Sequence, residues 1–475
     1  MDDRERRDPK ETAGKEPGKG IARRDLIQGM ATLPVLGLFG YAVYRQSGYE
    51  AAQRAAAASG TAADSDLPEV NIGMIGVGAQ GEVLRDSILK LPKVRIRAVC
   101  DIWTEYSLKR TVNLLRRSGE VNGYEDYREM LDKEKNLDAV VIATPDFWHA
   151  RHTVDCLKAG KHVYCEKEMS NTLEGARSMV LAARETGKLL QIGHQRRSNP
   201  RYLYCYNRLV REARLLGRIV TVNGQWNRGV QPDLGYPKRY EIPRPKLEQY
   251  GFRSMEQFRN WRWYKGLGGG PIVDLGSHQI DIYNWFLDAR PRSVVASGGR
   301  DYYPQATREW YDTVMVVYEF ETPGGPARAF YQTQTTNSSL GYYEKFMGDE
   351  GTLVISESNA NSVNAIYREV TSAPWDEWVR RGYVTAPKIV EARPEGEALD
   401  VRESISPDEH RIPVSFNDPA HKPHLRNFFN AVRGIEKLNC PADAGYETAV
   451  TVLKVNEALE AGTRLDFRPE EFEVV

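Results

Sequence analysis

The sequence predicts an α/β protein in two parts. An N-terminal domain of parallel strands and crossover helices precedes an α+β domain built on a mostly antiparallel open sheet. Three observations lead there. The stretch Gly76-Val77-Gly78-Ala79-Gln80-Gly81 joins an alternating apolar run, Val70 to Ile75, to a helical pattern carried by Val83, Leu84, Ile88 and Leu91. Strand and helix patterns then alternate as far as Gly193. From about Arg196 the strands become longer and more aromatic, as in Val314 to Phe320, Ala327 to Thr335 and Thr352 to Ser356.

Taken in order, residues 1–24 are crowded with charge, and Arg23-Arg24-Asp25-Leu26-Ile27 opens an apolar run that reaches Tyr44. This resembles a twin-arginine signal, the export route for folded, cofactor-loaded proteins. An ordinary transmembrane anchor is the alternative, since Leu26 to Tyr44 approaches the roughly 20 residues needed to span a bilayer. No Ala-x-Ala site follows closely, so an uncleaved leader would tether the protein to the membrane, facing the periplasm. The Ala-rich run from Ala51 to Ala63 reads as a linker. Residues 1–66 are therefore taken as leader and linker, 67–195 as a nucleotide-binding domain and 196–475 as a substrate and oligomerisation domain.

Strand, tight glycine turn and helix together make a dinucleotide site of the Rossmann type. Gly76 permits the turn, Gly78 lets the backbone approach a pyrophosphate, and Gly81 lets helix and strand pack closely, with Ala79 and Gln80 at the helix start. The second strand, Val94 to Cys100, ends at Asp101 and Ile102. A carboxylate there accepts the ribose hydroxyls and repels a 2′-phosphate, which favours NAD over NADP. Helices over Glu105 to Ser118 and Tyr127 to Lys133 lead to a buried strand, Asp138 to Ala143. The loop after it, Thr144-Pro145-Asp146, faces the cofactor at the carboxyl edge of the sheet. A helix from Trp148 to Ala159 contains His149, which either lines the nicotinamide side or caps its helix. The strand His162 to Cys165 delivers Glu166-Lys167-Glu168 to the same edge. A further helix ends at Gly187, and Leu189 to Gly193 closes the domain. In the second half, 228–260 and 357–412 show no period and read as long loops. Helices over His424 to Val432 and Tyr446 to Ala461 end the chain.

Lys plus Arg equals Asp plus Glu at 65 each, so no charge imbalance points to nucleic acid. The five cysteines are scattered without a CxxC pair, which reads as buried thiols rather than a disulfide framework or zinc site.

Four stretches together resemble the Gfo/Idh/MocA family of NAD(P)-dependent sugar oxidoreductases. They are the Gly76 to Gly81 loop, Thr144-Pro145-Asp146-Phe147-Trp148-His149, Ala159 to Lys167, and Gly268-Gly269-Gly270-Pro271-Ile272-Val273-Asp274-Leu275-Gly276-Ser277-His278 continuing to Asp281. The resemblance spans roughly residues 70–465. It implies NAD at the glycine loop, homo-oligomers through the open sheet, and a site in which Lys167, Asp274 and His278 act on a sugar hydroxyl. The chemistry agrees: alcohol oxidation needs a base for the proton while hydride leaves, and an imidazole suits it. Lys167 would stabilise the developing alkoxide. On a continuous helix, Asp274 would share a face with His278 and orient its ring, with Asp281 one turn further along. The plain alternatives are a core histidine, an exposed loop lysine, or an Asp–His pair on a metal. Phe258, Trp261, Trp263 and Tyr264 would either stack on a sugar ring or pack a core. Arg196, Arg197 and His194, just past a strand end, would either reach the substrate or serve the structure. Where the family carries proline after the lysine, this chain has Glu168, a carboxylate able to pair with Lys167.

These readings point to an NAD-dependent oxidoreductase acting on a sugar or glycoside. Outside the cytoplasm no NAD pool refills the site, so the cofactor would be kept and recycled. The alternatives are a redox-neutral glycosidase or lyase that borrows and returns hydride, and a non-catalytic sugar-binding descendant.

Overall fold

The computed structural model describes residues 66–117, 119–359, 364–388 and 407–475. The predicted leader and linker, and Ser118 at the end of one predicted helix, lie outside the described residues. Among those residues no helix is long and apolar enough to cross a membrane.

The first sheet has six parallel strands: β1 (Val70–Ile75), β2 (Val94–Cys100), β3 (Asn122–Tyr124), β4 (Ala139–Ile142), β5 (His162–Cys165) and β6 (Leu190–Ile192). Their order is β3-β2-β1-β4-β5-β6, so the chain reverses direction between β1 and β4, where doubly wound sheets bind ligands. The connecting helices include α1 (Ala79–Ile88), α2 (Lys109–Leu115), α3 (Tyr127–Lys133), α4 (Asp146–Lys158) and α5 (Leu173–Thr186). β1 and β4 are almost wholly buried, as covered parallel strands must be.

The second sheet has nine strands. They are β7 (Ile219–Asn227), β8 (Pro291–Gly299), β9 (Thr313–Thr322), β10 (Gly325–Gln334), β11 (Tyr342–Gly348), β12 (Gly351–Ile355), β13 (Ala365–Arg368), β14 (Asp408–Arg411) and β15 (Leu465–Asp466). Every pairing is antiparallel except β7 with β10. β7 was not expected from sequence, because Gly224 interrupts its pattern. A Cβ at Gly224 would lie 2.2 Å from the Tyr283 hydroxyl, which packs there and donates to the Phe330 carbonyl at 2.9 Å.

The two predicted long loops are partly ordered. The first contains short helices α6 (Arg244–Gln249) and α7 (Met255–Arg259); the second contains β13, β14 and a helical turn, Asp376–Arg380. Next come α8 (Gly270–Asp274) and α9 (Gly276–Leu287), separated by Leu275. Helix α10 (Lys422–Val432) returns to the first sheet, where Leu425, Phe428 and Phe429 join the core of Ile72, Val99 and Val141. The twenty-residue α11 (Ala442–Ala461) is buried along most of its length against β8, α5 and α9. All five cysteines are buried free thiols.

Candidate functional site

The glycine turn meets three separate constraints. Gly76 has φ +86°, a left-handed conformation, and a Cβ there would lie 2.7 Å from the Ala143 carbonyl. At Gly81 a Cβ would lie 2.2 Å from the Gly76 oxygen, whereas at Gly78 it would meet no protein atom within 4 Å. The turn is thus closed toward the sheet and open on the side where a pyrophosphate would lie at the start of α1. Asp101 accepts the Val77 N–H at 2.9 Å and the Trp103 N–H at 2.8 Å, which fixes its carboxylate beside the turn. These features fit a dinucleotide with an unmodified ribose.

The turn borders a cavity of about 550 Å³. Gly76, Gly78, Ala79, Gln80, Asp101, Ile102, Thr144, Pro145 and Glu166 line it, and so do Lys167, Asp274, His278 and Trp263. Elements far apart in the chain therefore share one space.

Within it the Lys167 ammonium donates to the Asp274 backbone carbonyl and reaches the Asp274 carboxylate at 3.2 Å. Arg262 Nε donates to the same carboxylate oxygen at 2.9 Å. Burial alone would raise the Asp274 carboxyl, but Lys167 and Arg262 outweigh it and hold it well below the usual carboxylate range. His278 is buried, its ring centroid 5.2 Å from that of Trp226, and its Nδ1 has no hydrogen-bond partner. Burial, reinforced by the nearby charges of Lys167 and Arg196, pushes its pKa well below the ordinary value, so it is neutral at pH 7.

Several expectations need correction. Asp274 does not orient His278: no hydrogen bond joins them among the described residues, because Leu275 breaks the helix and two cations occupy the carboxylate. Glu168 does not pair with Lys167. The Lys167–Glu168 peptide bond is cis, and one oxygen of the buried Glu168 carboxyl accepts the Met169 N–H at 2.7 Å. His149 does not line the cavity; its ring is clamped between the carbonyls of Thr144 and Glu168, each at 2.7 Å. Burial lowers its pKa to about 4, so one neutral N–H serves one of the two carbonyls.

The predicted substrate arginines also lie off the cavity. Arg196 is 1 % exposed and ion-paired with Glu344, behind Trp226. Arg197 Nε donates to both oxygens of Asp281, at 2.9 and 3.0 Å, and Asp281 also accepts from the Thr448 hydroxyl at 2.8 Å. These charges satisfy one another and tie α9 to α11. His194 is buried and does not line the cavity either.

Other residues reach the site without having been expected there. Arg262 lies between two tryptophans flagged only for their rings. His421 contacts Gln80, Nε2 to Nε2, at 3.0 Å across 341 residues, a contact for which the sequence carries no signal. Over the adenosine end, residues 234–267 supply Ile242, Leu247, Phe252, Met255 and Trp261 to a small core shared with Trp103. The Trp103 indole N–H donates to the Tyr240 carbonyl at 2.5 Å, and Phe258 packs edge-on to Trp103 at 5.8 Å.

Comparison with known proteins gives two adjoining matches. Residues 70–194 match the "Oxidoreductase family, NAD-binding Rossmann fold" model of Gfo/Idh/MocA proteins, and residues 208–354 match the "GFO/IDH/MocA C-terminal domain". The chain is 26% identical over 296 residues to an inositol 2-dehydrogenase of Rubrobacter xylanophilus, covering 61% of this chain and 72% of that protein. It is 27% identical over 233 residues to the scyllo-inositol 2-dehydrogenase (NADP(+)) IolW of Bacillus subtilis, covering 48% of this chain and 54% of that protein. The chain thus spans about half the length of this second relative. Among solved structures, levoglucosan dehydrogenase in complex with NADH superposes with a TM-score of 0.62 at 17% identity, covering 84% of this chain and 99% of that one. That likeness is one of fold.

Proposed function

The chain belongs to the Gfo/Idh/MocA oxidoreductase family, a nicotinamide-dependent family with an NAD-binding Rossmann fold; from that premise we propose that it oxidises a secondary hydroxyl of a sugar or glycoside, using an NAD that it retains and recycles. The observation that carries this reading is the single cavity shared by the glycine turn, Asp101, Lys167, Asp274 and His278.

The NAD, held by the glycine turn and Asp101, supplies a hydride acceptor. The protein's own groups do the rest. Lys167, positioned by Asp274, presents a fixed positive charge to the hydroxyl oxygen and lowers its affinity for its proton. His278, neutral across the physiological range, receives that proton. Lys167, one of the charges that weaken His278 as a base, also makes the hydroxyl more acidic. Trp263 also lines the cavity, its ring centroid 4.3 Å from the Arg308 guanidinium, and adds aromatic surface there.

Retention of the cofactor is supported by the aromatic cover of 234–267 beside Asp101. Export through the Arg23-Arg24 leader is a separate proposal and makes such retention necessary. We also read the outer face of the nine-stranded sheet, where Val295, Met315 and Val317 are exposed, as a contact between copies of the chain.

The test is to present the purified protein with a panel of sugars and glycosides, without added nucleotide. The reading expects the absorbance band of reduced nicotinamide to rise and a keto-sugar to form. Lys167→Met and His278→Asn should each slow this by about a hundred-fold or more. Aglycone release without an external acceptor would favour redox-neutral cleavage. Purified protein without nucleotide, and without response to added NAD, would favour a non-catalytic binding protein.

A further inference from the structure

Four cationic side chains line the cavity around the reacting end: Lys167, Arg228, Arg262 and Arg308. Their pairing is unequal. Lys167 and Arg262 share the Asp274 carboxylate, and Arg308 pairs with Asp233. Arg228 has no ion pair or side-chain hydrogen bond among the described residues. Its guanidinium lies 5.2 Å from the centroid of Trp226, the ring that also packs against His278.

None of the carboxyls nearby pairs with Arg228 among the described residues. Glu357 lies within reach of Gln195 and Arg196, and Glu166 accepts from the Tyr164 hydroxyl at 3.2 Å. Burial lifts Asp146 to about 7, so it is only partly ionised at neutral pH. A second donor is also unspent: Arg308 is 3 % exposed, and its Nε has no partner. It stacks on Tyr303, whose hydroxyl donates to the Thr335 carbonyl at 2.9 Å and accepts the Gln231 N–H at 3.1 Å. That bond ties Arg308's surroundings to the strand end that carries Arg228.

A guanidinium that loses water when a ligand enters a cavity needs an acceptor in return, and a carboxylate or phosphate matches its fork of donors. The nucleotide's pyrophosphate is not that acceptor, since its cradle is the glycine turn whereas Arg228 shares its aromatic neighbour with His278. We propose that the substrate is an acidic sugar, whose carboxylate or phosphate group is held by Arg228 with Arg308 beside it. This rests on the sugar-oxidising reading for the identity of the carrier molecule. It makes Arg228 a specificity-determining residue for which the sequence motifs carry no signal.

The test is a binding titration on the nucleotide-loaded protein, read by quenching of tryptophan fluorescence. The probes are D-glucuronate, D-galacturonate and glucose phosphorylated at its primary hydroxyl, each set against its neutral parent sugar. At least one acid should bind about ten-fold or more tighter than its parent. Arg228→Gln should bring that ratio toward one, and Arg228→Lys should keep part of it. The uronate and phosphate arms tell which anion is read. The proposal is overturned if no acid exceeds its parent, or if the preference survives Arg228→Gln. Because the readout needs no hydride transfer, acids that bind without reducing the bound nicotinamide would count against sugar oxidation alone. Neutral sugars that reduce it while the acids show no advantage would count against the anion alone.

Discussion

Glu168 is 1 % exposed; one oxygen of its carboxyl accepts the Met169 N–H and the other has no partner. Burial is the main cause of its pKa rising to about 8, so the native state keeps this proton through neutral pH while the unfolded chain loses it near the ordinary glutamate value. Between about pH 4.5 and 8 the unfolded state therefore binds fewer protons, and native stability falls as pH rises. Glu168→Gln removes this dependence. Denaturant titration should find the variant close to the parent near pH 5 and more stable by up to a few kcal/mol near pH 8.5. An unchanged difference across that range would mean that Glu168 is ionised in the fold. Single residues were legible to differing degrees. Lys167, Asp274 and His278 were found by motif, and all three line the cavity. Arg196 and Arg197 were assigned to the same space because they follow a strand end. Their true partners, Glu344 and Asp281, lie 148 and 84 residues away, and no local pattern shows which distant charge a buried arginine meets.

Most elements of the first sheet were readable because strands such as β1 and β2 and their helices are long enough to show their period; β3, with three residues, was not. The cover over the adenosine end was not, since α6 and α7 have six and five residues, too few to display helical periodicity. Their order comes from aromatic burial against Trp103, in the segment that follows β2 of the first sheet. If this cover retains the nucleotide, Phe258→Ala should loosen it by removing the ring between Trp103 and Phe252. Chasing the bound nucleotide with excess labelled NAD should show release faster by about ten-fold while the glycine turn still binds it. Unaltered release would place retention elsewhere. The strand β7 escaped detection for a related reason: Gly224 breaks its pattern, and the side chain that needs the gap, Tyr283, comes from α9.

At the scale of the molecule, the outer sheet face presents Val295 directly opposite Val317 and next to Met315, at 47, 39 and 48 % exposure. Val317→Arg should convert an assembled form to a smaller one in light scattering coupled to size exclusion, with little effect on the bound nucleotide. If the mass does not change, this face is not the contact. The sequence indicated two sheets in the right order but not that α10 comes back from the end of the chain to the first, because its apolar stripe is compatible with many partners. That return has a consequence during synthesis. Until residues 422–432 leave the ribosome, the apolar surface around Ile72 and Val99 is uncovered and Gln80 lacks its contact with His421. Nucleotide capture then waits for α10, and a chain truncated before it should emerge empty, so that a loaded cofactor certifies a polypeptide made at least as far as this helix.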